Sequence, residues 1–98
     1  MFDGETIERR DTIRLWSQLR AVKDLMLNNR DRWYSLEMIR SRLWYRYHLK
    51  ASEASISARL RDLRKDNFGA FRVESRRLGN LYSYRVLPPL PKEQLEIL

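Results

Sequence analysis

The sequence contains no cysteine, and among its 98 residues it has one histidine, three glycines and three prolines. Without cysteine, the fold can hold neither a disulfide nor a thiolate metal site, and this composition fits a reducing, intracellular setting. Any metal site would depend on carboxylates around the single His48, so we expect no metal and no cofactor. No Gly-rich phosphate loop and no paired catalytic groups are found, so we also expect no enzymatic activity.

Long hydrophobic runs are missing as well. No stretch of about 18 apolar residues is available to span a membrane, and the N-terminal Met-Phe-Asp-Gly-Glu lacks the pattern of a signal peptide. We therefore expect a cytoplasmic protein with no membrane partner. Hydrophobic residues make up 43% of the chain and charged residues 34%, which is typical of one globular domain and not of a disordered chain.

Positive charge is abundant and concentrated. The net charge is +7, and all of the excess lies between Arg30 and Arg77, with residues 30–49 contributing +3 and residues 50–77 contributing +4. A concentrated basic region attracts polyanions, of which nucleic acid is the commonest inside a cell. Anionic membrane is the competing partner, but these basic residues are spread over several predicted elements instead of one amphipathic helix.

Two helices are predicted in the first half of the chain. After a flexible lead-in at residues 1–11, Thr12 is expected to cap a scaffold helix that ends near Asn29, and Ser35 to cap a second helix. Leu49 is expected to fill the core between the second and third helices. The apolar stripe of the first helix is Leu15, Leu19, Val22 and Met26, widened by Trp16, Leu25 and Leu27, and that of the second is Leu36, Ile39, Leu43 and Tyr47.

A third helix is predicted over residues 52–66, with Ser52 as its N-cap. Ile56, Leu60 and Leu63 recur at i, i+4 and i+7, so one narrow face is expected to be buried. The opposite face is small at its start and cationic further along, with Ala54, Ala58, Arg61 and Lys65. This pattern suits close approach to a polyanion, although an ordinary amphipathic helix with a solvated charged face is the alternative.

A β-hairpin is predicted after the third helix. Two β-rich runs flank Gly79-Asn80, and a two-residue loop there places Val73 opposite Val86 and Glu74 opposite Arg85. A one-residue shift would break both pairs, so this register is preferred. The prolines from Pro88 onward end the domain, which leaves residues 88–98 as a Pro-rich tail.

Three helices followed by a C-terminal two-stranded hairpin make an α+β fold of the winged helix-turn-helix class over residues 12–87. The residues themselves resemble the small winged-helix DNA-binding proteins of bacteriophages and prophages. The segments that carry the resemblance are Arg32–Leu36, Glu53–Lys65, Phe68-Gly69, Val73-Glu74 and Tyr84–Val86. The link from Trp44 to Lys50 is longer and more aromatic and basic than in that group, so an extra turn of the second helix is expected.

The resemblance implies that the third helix enters the major groove of double-stranded DNA and that a wing at about residues 76–80 reaches the backbone or the minor groove. Lys50, Arg61, Lys65, Arg76 and Arg77 would then form one continuous basic face. Ser55, Ala58, Arg61 and Asp62 are expected at base edges, Ser52, Ser57 and Lys65 at phosphates, and Arg76, Arg77 and Asn80 in the wing. Asp62 would need a cytosine donor or an arginine partner, and Arg59 and Arg61 are both candidates for that partner.

Other residues have structural interpretations. Arg59 and Arg64 are expected to lie along the helix flanks or to pair with Asp66 or Glu74. Arg85 is expected to pair with Glu74. Tyr82 and Tyr84 are interpreted as core aromatics, and a hydrogen bond from Tyr82, near the wing tip, to a phosphate is the alternative.

The functional prediction is therefore sequence-specific or structure-positioned binding of double-stranded DNA. A small transcriptional regulator or a replication or excision accessory protein of phage type is the expected role. The alternative is a protein–protein adaptor or inhibitor that binds a host protein, suggested by Met38, Trp44 and Tyr45, which are expected to be exposed on the second helix. The neutral first helix and the tail leave a homodimer open.

Overall fold

The computed structural model describes the backbone of residues 3–91 and the side chains of residues 14–91. Three helices precede a two-stranded antiparallel hairpin, which confirms the expected α+β arrangement and is consistent with a winged-helix topology. The predicted tail lies outside the described residues from position 92 onward. The elements are α1 (Asp3–Asn28), α2 (Leu36–Tyr47), α3 (Glu53–Leu63), a single 3-10 turn (Asp66–Phe68), β1 (Arg72–Leu78) and β2 (Leu81–Leu87).

The first helix begins earlier than the sequence pattern indicates. Its backbone is helical from Asp3 onward, so the predicted start at Thr12 is wrong, and most of the predicted lead-in is helix. The segment between these positions is rich in Glu and Arg, which are good helix formers, but its apolar residues are sparse. An apolar stripe marks where a helix is buried and gives no information on how far the same helix continues beyond the core.

Burial along α1 follows the predicted stripe only in its second half. Val22, Leu25 and Met26 are fully buried or nearly so, whereas Leu15 and Trp16 are 47% and 52% exposed. Leu15 was expected in the stripe and does not belong to the core. The Trp16 ring instead packs edge-to-face against Phe68 at a centroid distance of 5.5 Å.

The predicted caps of the second and third helices are confirmed. The Ser35 hydroxyl accepts a hydrogen bond from the Met38 N–H at 3.2 Å, and the Ser52 hydroxyl accepts one from the Ser55 N–H at 3.0 Å. The second helix ends at Tyr47, whose side chain is exposed and not in the inner stripe as expected. His48 then adopts a left-handed conformation with φ of 51°, and Leu49 packs against the core as predicted.

The hairpin has the register expected from the sequence. Val73 lies opposite Val86 and Glu74 lies opposite Arg85. Gly79 has a φ of 62°, which a two-residue hairpin turn requires of its first residue. On the far edge of β2, Tyr34 pairs with Tyr84 through two backbone hydrogen bonds of 2.8 and 2.9 Å, so the α1–α2 connection adds one rung to the sheet.

One core joins the three helices to the sheet. Its helical members meet Tyr34 and Val86 from the sheet, so the inner stripe of α3 is held from several sides. The buried apolar residues are Leu19, Ala21, Val22, Leu25, Met26, Tyr34, Ile39, Leu43, Ile56, Leu60, Leu63 and Val86. The predicted face of α3 is therefore the buried one, and this orientation decides which of its side chains point outward.

Candidate nucleic-acid interface

The outward face of α3 consists of Ala54, Ala58 and Arg61. The helix ends at Leu63 and not near residue 66 as predicted, so Lys65 lies in the extended link to the 3-10 turn. Ala54, Arg61 and Lys65 are exposed and Ala58 is half-buried, opposite the completely buried Ile56 and Leu63. The side chains on this face are small near the N-terminus of α3 and cationic near its C-terminus, as the sequence predicts. Arg61 makes no ion pair with any residue that the structure describes, so its five donors are available for a planar acceptor pair such as the guanine O6 and N7 atoms.

Ser52 and Ser55, at the start of α3, hydrogen-bond to each other at the helix cap. The Ser52 hydroxyl accepts the Ser55 N–H and also donates to the Ser55 hydroxyl at 3.0 Å. Ser55 and Ser57 are half-buried, one on each side of the outward face. Of the three serines expected to meet DNA, Ser52 thus has a structural role in fixing the helix start.

Asp62 does not point freely into solvent. Its carboxylate lies 3.1 Å from Arg59 Nε and 3.2 Å from Lys65 Nζ, and the first of these contacts lacks hydrogen-bond alignment. Asp62 and Arg59 also line a cleft with Leu15, Trp16 and other residues of α1 and the 3-10 turn. The partner left open by the sequence is therefore Arg59, and Asp62 occupies the α1 side of α3.

Arg64 and Glu53 tie the opposite flank of α3 to its neighbours. The Arg64 guanidinium donates to the Val73 carbonyl at 3.1 Å, which links α3 to β1. Glu53 lies 3.9 Å from Arg40 of α2, with both side chains about half exposed, so this pair contributes little. Arg64 was expected to lie along the helix flank or to pair with Asp66 or Glu74, and it instead bonds to a carbonyl of β1.

The wing arginines are held by aromatic rings. The Arg76 and Arg85 guanidinium carbons lie 4.5 and 4.7 Å from the centroid of the Trp33 ring, and Arg85 also pairs with Glu74 as predicted. Ser83, opposite Arg76 in the ladder, is buried. The four side chains Trp33, Glu74, Arg76 and Arg85 are called the Trp33 cluster below.

The end of the wing has a different surface. Arg77 donates from Nε to the Gly79 carbonyl at 2.7 Å, and its guanidinium lies 5.6 Å from the Tyr82 ring centroid. Asn80 is exposed in the turn. Tyr82 is half exposed, so its interpretation as a core aromatic is wrong, whereas Tyr84 packs against the core as expected.

Lys50 lies in the link between α2 and α3, with its ammonium 5.8 Å from the Trp44 ring centroid. The five cations of the expected basic face thus come from this link, from α3 and the turn after it, and from the wing. A continuous basic face over them stays a prediction.

Trp33 is a residue of the candidate interface that the sequence analysis did not single out, and it contacts Arg76 and Arg85. It was interpreted as part of a short apolar connection. Once Tyr34 is known to pair with Tyr84 of β2, strand alternation places Trp33 beside Arg85, on the face that Glu74 and Arg76 share. The sequence contained no signal for this pairing, so the position of Trp33 could not be predicted from it.

Within the part of the chain that the structure describes, no three His, Asp or Glu side chains approach closely enough to hold a metal ion. No helix over residues 3–91 combines the length and hydrophobicity that a bilayer crossing requires. A scan against protein-family models found no match, and neither did searches of curated proteins and of solved structures.

Proposed function

We propose that the protein binds double-stranded DNA, with the outward face of α3 in the major groove and the wing against the adjacent backbone or minor groove. The single observation that carries this proposal is α3 itself. Its inner face is locked in the core, while its outer face is small at the N-terminal end and cationic at the other, with Arg61 unpaired among the described residues. An α-helix with its side chains is about 10–12 Å in diameter, which matches the major groove of B-DNA at about 12 Å wide.

The charge distribution supports the same proposal. The excess of +7 falls between Arg30 and Arg77, the segment that holds α2, α3 and β1. Cations near the duplex release condensed counterions, which supplies most of the sequence-independent affinity. A small transcriptional regulator or a replication or excision accessory protein, acting in the cytoplasm at the nucleoid, is the role we propose.

The test is fluorescence anisotropy with a random 30-base-pair duplex across a salt series. Micromolar binding with a log–log salt slope of about −4 to −6 is expected for about five to seven phosphate contacts. The double variant Arg61→Ala with Lys65→Ala should bind much more weakly and lower the magnitude of the slope, with nearly unchanged melting temperature because both side chains are exposed. No binding at low salt would overturn the proposal.

A matched control removes the same charge elsewhere. Arg20 and Arg30 are exposed positions on α1 and in the turn that follows it, outside α3 and the wing. The double variant Arg20→Ala with Arg30→Ala should reduce duplex affinity far less than the α3 variant. Equal losses in the two variants would show that net charge, and not α3, determines binding.

The outer surface of α2 favours a second candidate, an adaptor or inhibitor that binds a host protein. Tyr45 is 79% exposed and lines a cleft with Met38, Arg42 and Arg46. Trp44 is also exposed and lines a separate cleft beside the α2–α3 link. Tyrosine, tryptophan, methionine and arginine are the residue types enriched in protein interfaces. In this case the variant Tyr45→Ala should abolish binding to a host protein, and the wild-type protein should show no salt-dependent duplex binding.

A further inference from the structure

The tip of the wing is apolar. Leu78 and Leu81 lie opposite one another on the last rung of the hairpin, on either side of Gly79-Asn80, and are 63% and 57% exposed. A Cβ built at Gly79 would meet no atom within 4 Å, so the turn itself is open on that side. Two large aliphatic side chains at the end of a two-residue turn are a narrow projection and not part of a broad interface.

The chain on either side of this tip carries positive charge only. From Ser75 to Pro91 the sequence contains no aspartate or glutamate, while Arg76 and Arg77 directly precede Leu78. An apolar projection flanked by cations alone is complementary to a polyanion that has an apolar interior. A DNA duplex has this combination, with phosphates outside and stacked bases within.

The projection is also held in place before any partner binds. The β1–β2 ladder continues to the Leu78–Leu81 pair, and the Arg77 side chain bonds to the Gly79 carbonyl. At the other end, Arg64 links β1 to α3, and the Trp33 cluster joins both strands to the α1–α2 connection. A projection that is already ordered loses less conformational entropy when it inserts into a partner.

We propose that Leu78 and Leu81 form a wedge that inserts between neighbouring base pairs of the bound duplex. The inference rests on the proposed function, and it adds a way of selecting sites by deformability. Leucine side chains that enter from the minor groove partly unstack a base step and kink the duplex. Pyrimidine–purine steps such as TA unstack most easily, so the wedge selects them without any hydrogen bond to a base.

A second copy of the chain is a poorer occupant. A stable interface buries about 800 Å² on each partner, and two leucines at a hairpin end supply only a small part of that area. The adjacent arginines would also repel the same arginines of another wing in an isologous tip-to-tip contact.

The test measures DNA unwinding, which does not depend on knowing the binding site. A closed circular plasmid is relaxed by a topoisomerase in the presence of the protein and then deproteinised. An inserted wedge unwinds the duplex, so the wild-type protein should leave negative supercoils whose number grows with occupancy. The double variant Leu78→Ala with Leu81→Ala should bind the duplex several-fold more weakly, with the same salt slope. When the variant and the wild-type protein occupy the plasmid equally, the variant should leave no negative supercoils.

The matched control keeps apolar bulk at the tip. Leu78→Met with Leu81→Met should retain most of the supercoiling, because methionine also serves as an apolar wedge. A duplex with 2-aminopurine after T in a TA step gives an independent readout, since its fluorescence rises when the base unstacks. Wild-type protein should raise this signal and the alanine variant should not. Equal melting temperatures of the three proteins would establish that the hairpin is intact in each.

The outcomes separate the two proposals. Duplex binding by the wild-type protein without supercoiling would overturn the wedge and leave the proposed function standing. Undiminished supercoiling by the alanine variant would also overturn the wedge, because the deformation would then come from another part of the protein. Failure of the wild-type protein to bind any duplex would overturn both.

Discussion

Arg61 of α3 is exposed and forms no ion pair within the described residues, whereas Arg76 of the wing lies against the Trp33 ring at 4.5 Å. The same residue type therefore has two different surroundings in two basic regions. The bonded cations in and just after α3 are Arg59, Arg64 and Lys65, so among the described contacts Arg61 is the cation of the outward face without an ion pair. In the wing, the arginines brace the sheet, and the exposed end is made of leucine.

This difference teaches that basic composition alone does not identify contact residues. A guanidinium stacked on an aromatic ring is partly desolvated and positioned, and moving it onto a phosphate would cost the cation–π contact, about 0.5–1 kcal/mol at an exposed site. An unpaired guanidinium has no such cost. We therefore expect α3 to supply hydrogen-bond readout, and the wing to supply shape, with Arg77 and Asn80 as its nearest polar groups to the duplex.

The largest effect is expected for a substitution that removes part of the core packing of α3. Leu60 of α3 is almost completely buried in the core. Leu60→Ala should therefore lower the free energy of unfolding by about 2–5 kcal/mol, as buried large-to-small changes do. The matched change at the tip, Leu78→Ala, should cost less than about 0.5 kcal/mol because Leu78 is exposed. Urea unfolding measures both, and similar losses would contradict the assignment of inner and outer leucines.

The next effect concerns the junction between the two regions. Gly69 has a φ of 112°, and a Cβ added there would lie 2.4 Å from the Phe71 ring, so Gly69→Ala should cost about 2–3 kcal/mol through backbone strain and overlap. The neighbouring Ala70 also has a positive φ, of 51°. As the control, Ala70→Gly should stabilise the fold by up to about 1 kcal/mol, because glycine adopts this conformation without a Cβ clash. Thermal unfolding of both variants checks the signs, and destabilisation by Ala70→Gly would refute this account of the turn.

The smallest effect tests the comparison of arginines directly. Arg76→Ala should lower the free energy of unfolding by about 0.5–1 kcal/mol through loss of the Trp33 contact. Arg61→Ala should leave stability within about 0.5 kcal/mol of the wild type but reduce the magnitude of the duplex salt slope by about 1 if Arg61 meets a phosphate. Chemical unfolding and anisotropy are measured on the same preparations. A stability loss confined to Arg61→Ala would reverse the two assignments.

Much of the fold was predictable because its signals are local. Ser35 and Ser52 precede helical segments, and their hydroxyls reach backbone N–H groups within the same turn. The hairpin register followed from a two-residue turn, since strand alternation then fixes every pair from Leu78–Leu81 to Arg72–Leu87. The inner stripe of α3 followed from the spacing of Ile56, Leu60 and Leu63.

The candidate site was less predictable because its contacts join distant parts of the chain. Residue spacing placed Asp62 near the outward face, but the packing of α1 beside α3 turns that flank into a cleft lined by Leu15 and Trp16. In the same way, the pattern that marked Tyr82 as apolar contained no information on how far the core extends along the hairpin. The tip projects past the core, so Leu78, Leu81 and Tyr82 are exposed together.

The sequence by itself determined the order of the elements, the N-caps of α2 and α3, the strand register and the location of the positive charge. These properties depend on backbone periodicity and on neighbours within a few residues. Only the tertiary structure decided which arginines are occupied, because Arg64 meets Val73, and Arg76 meets Trp33, across separate elements. The structure also left Arg61 and the leucine tip uncovered, since burial depends on which surfaces the folded chain brings together.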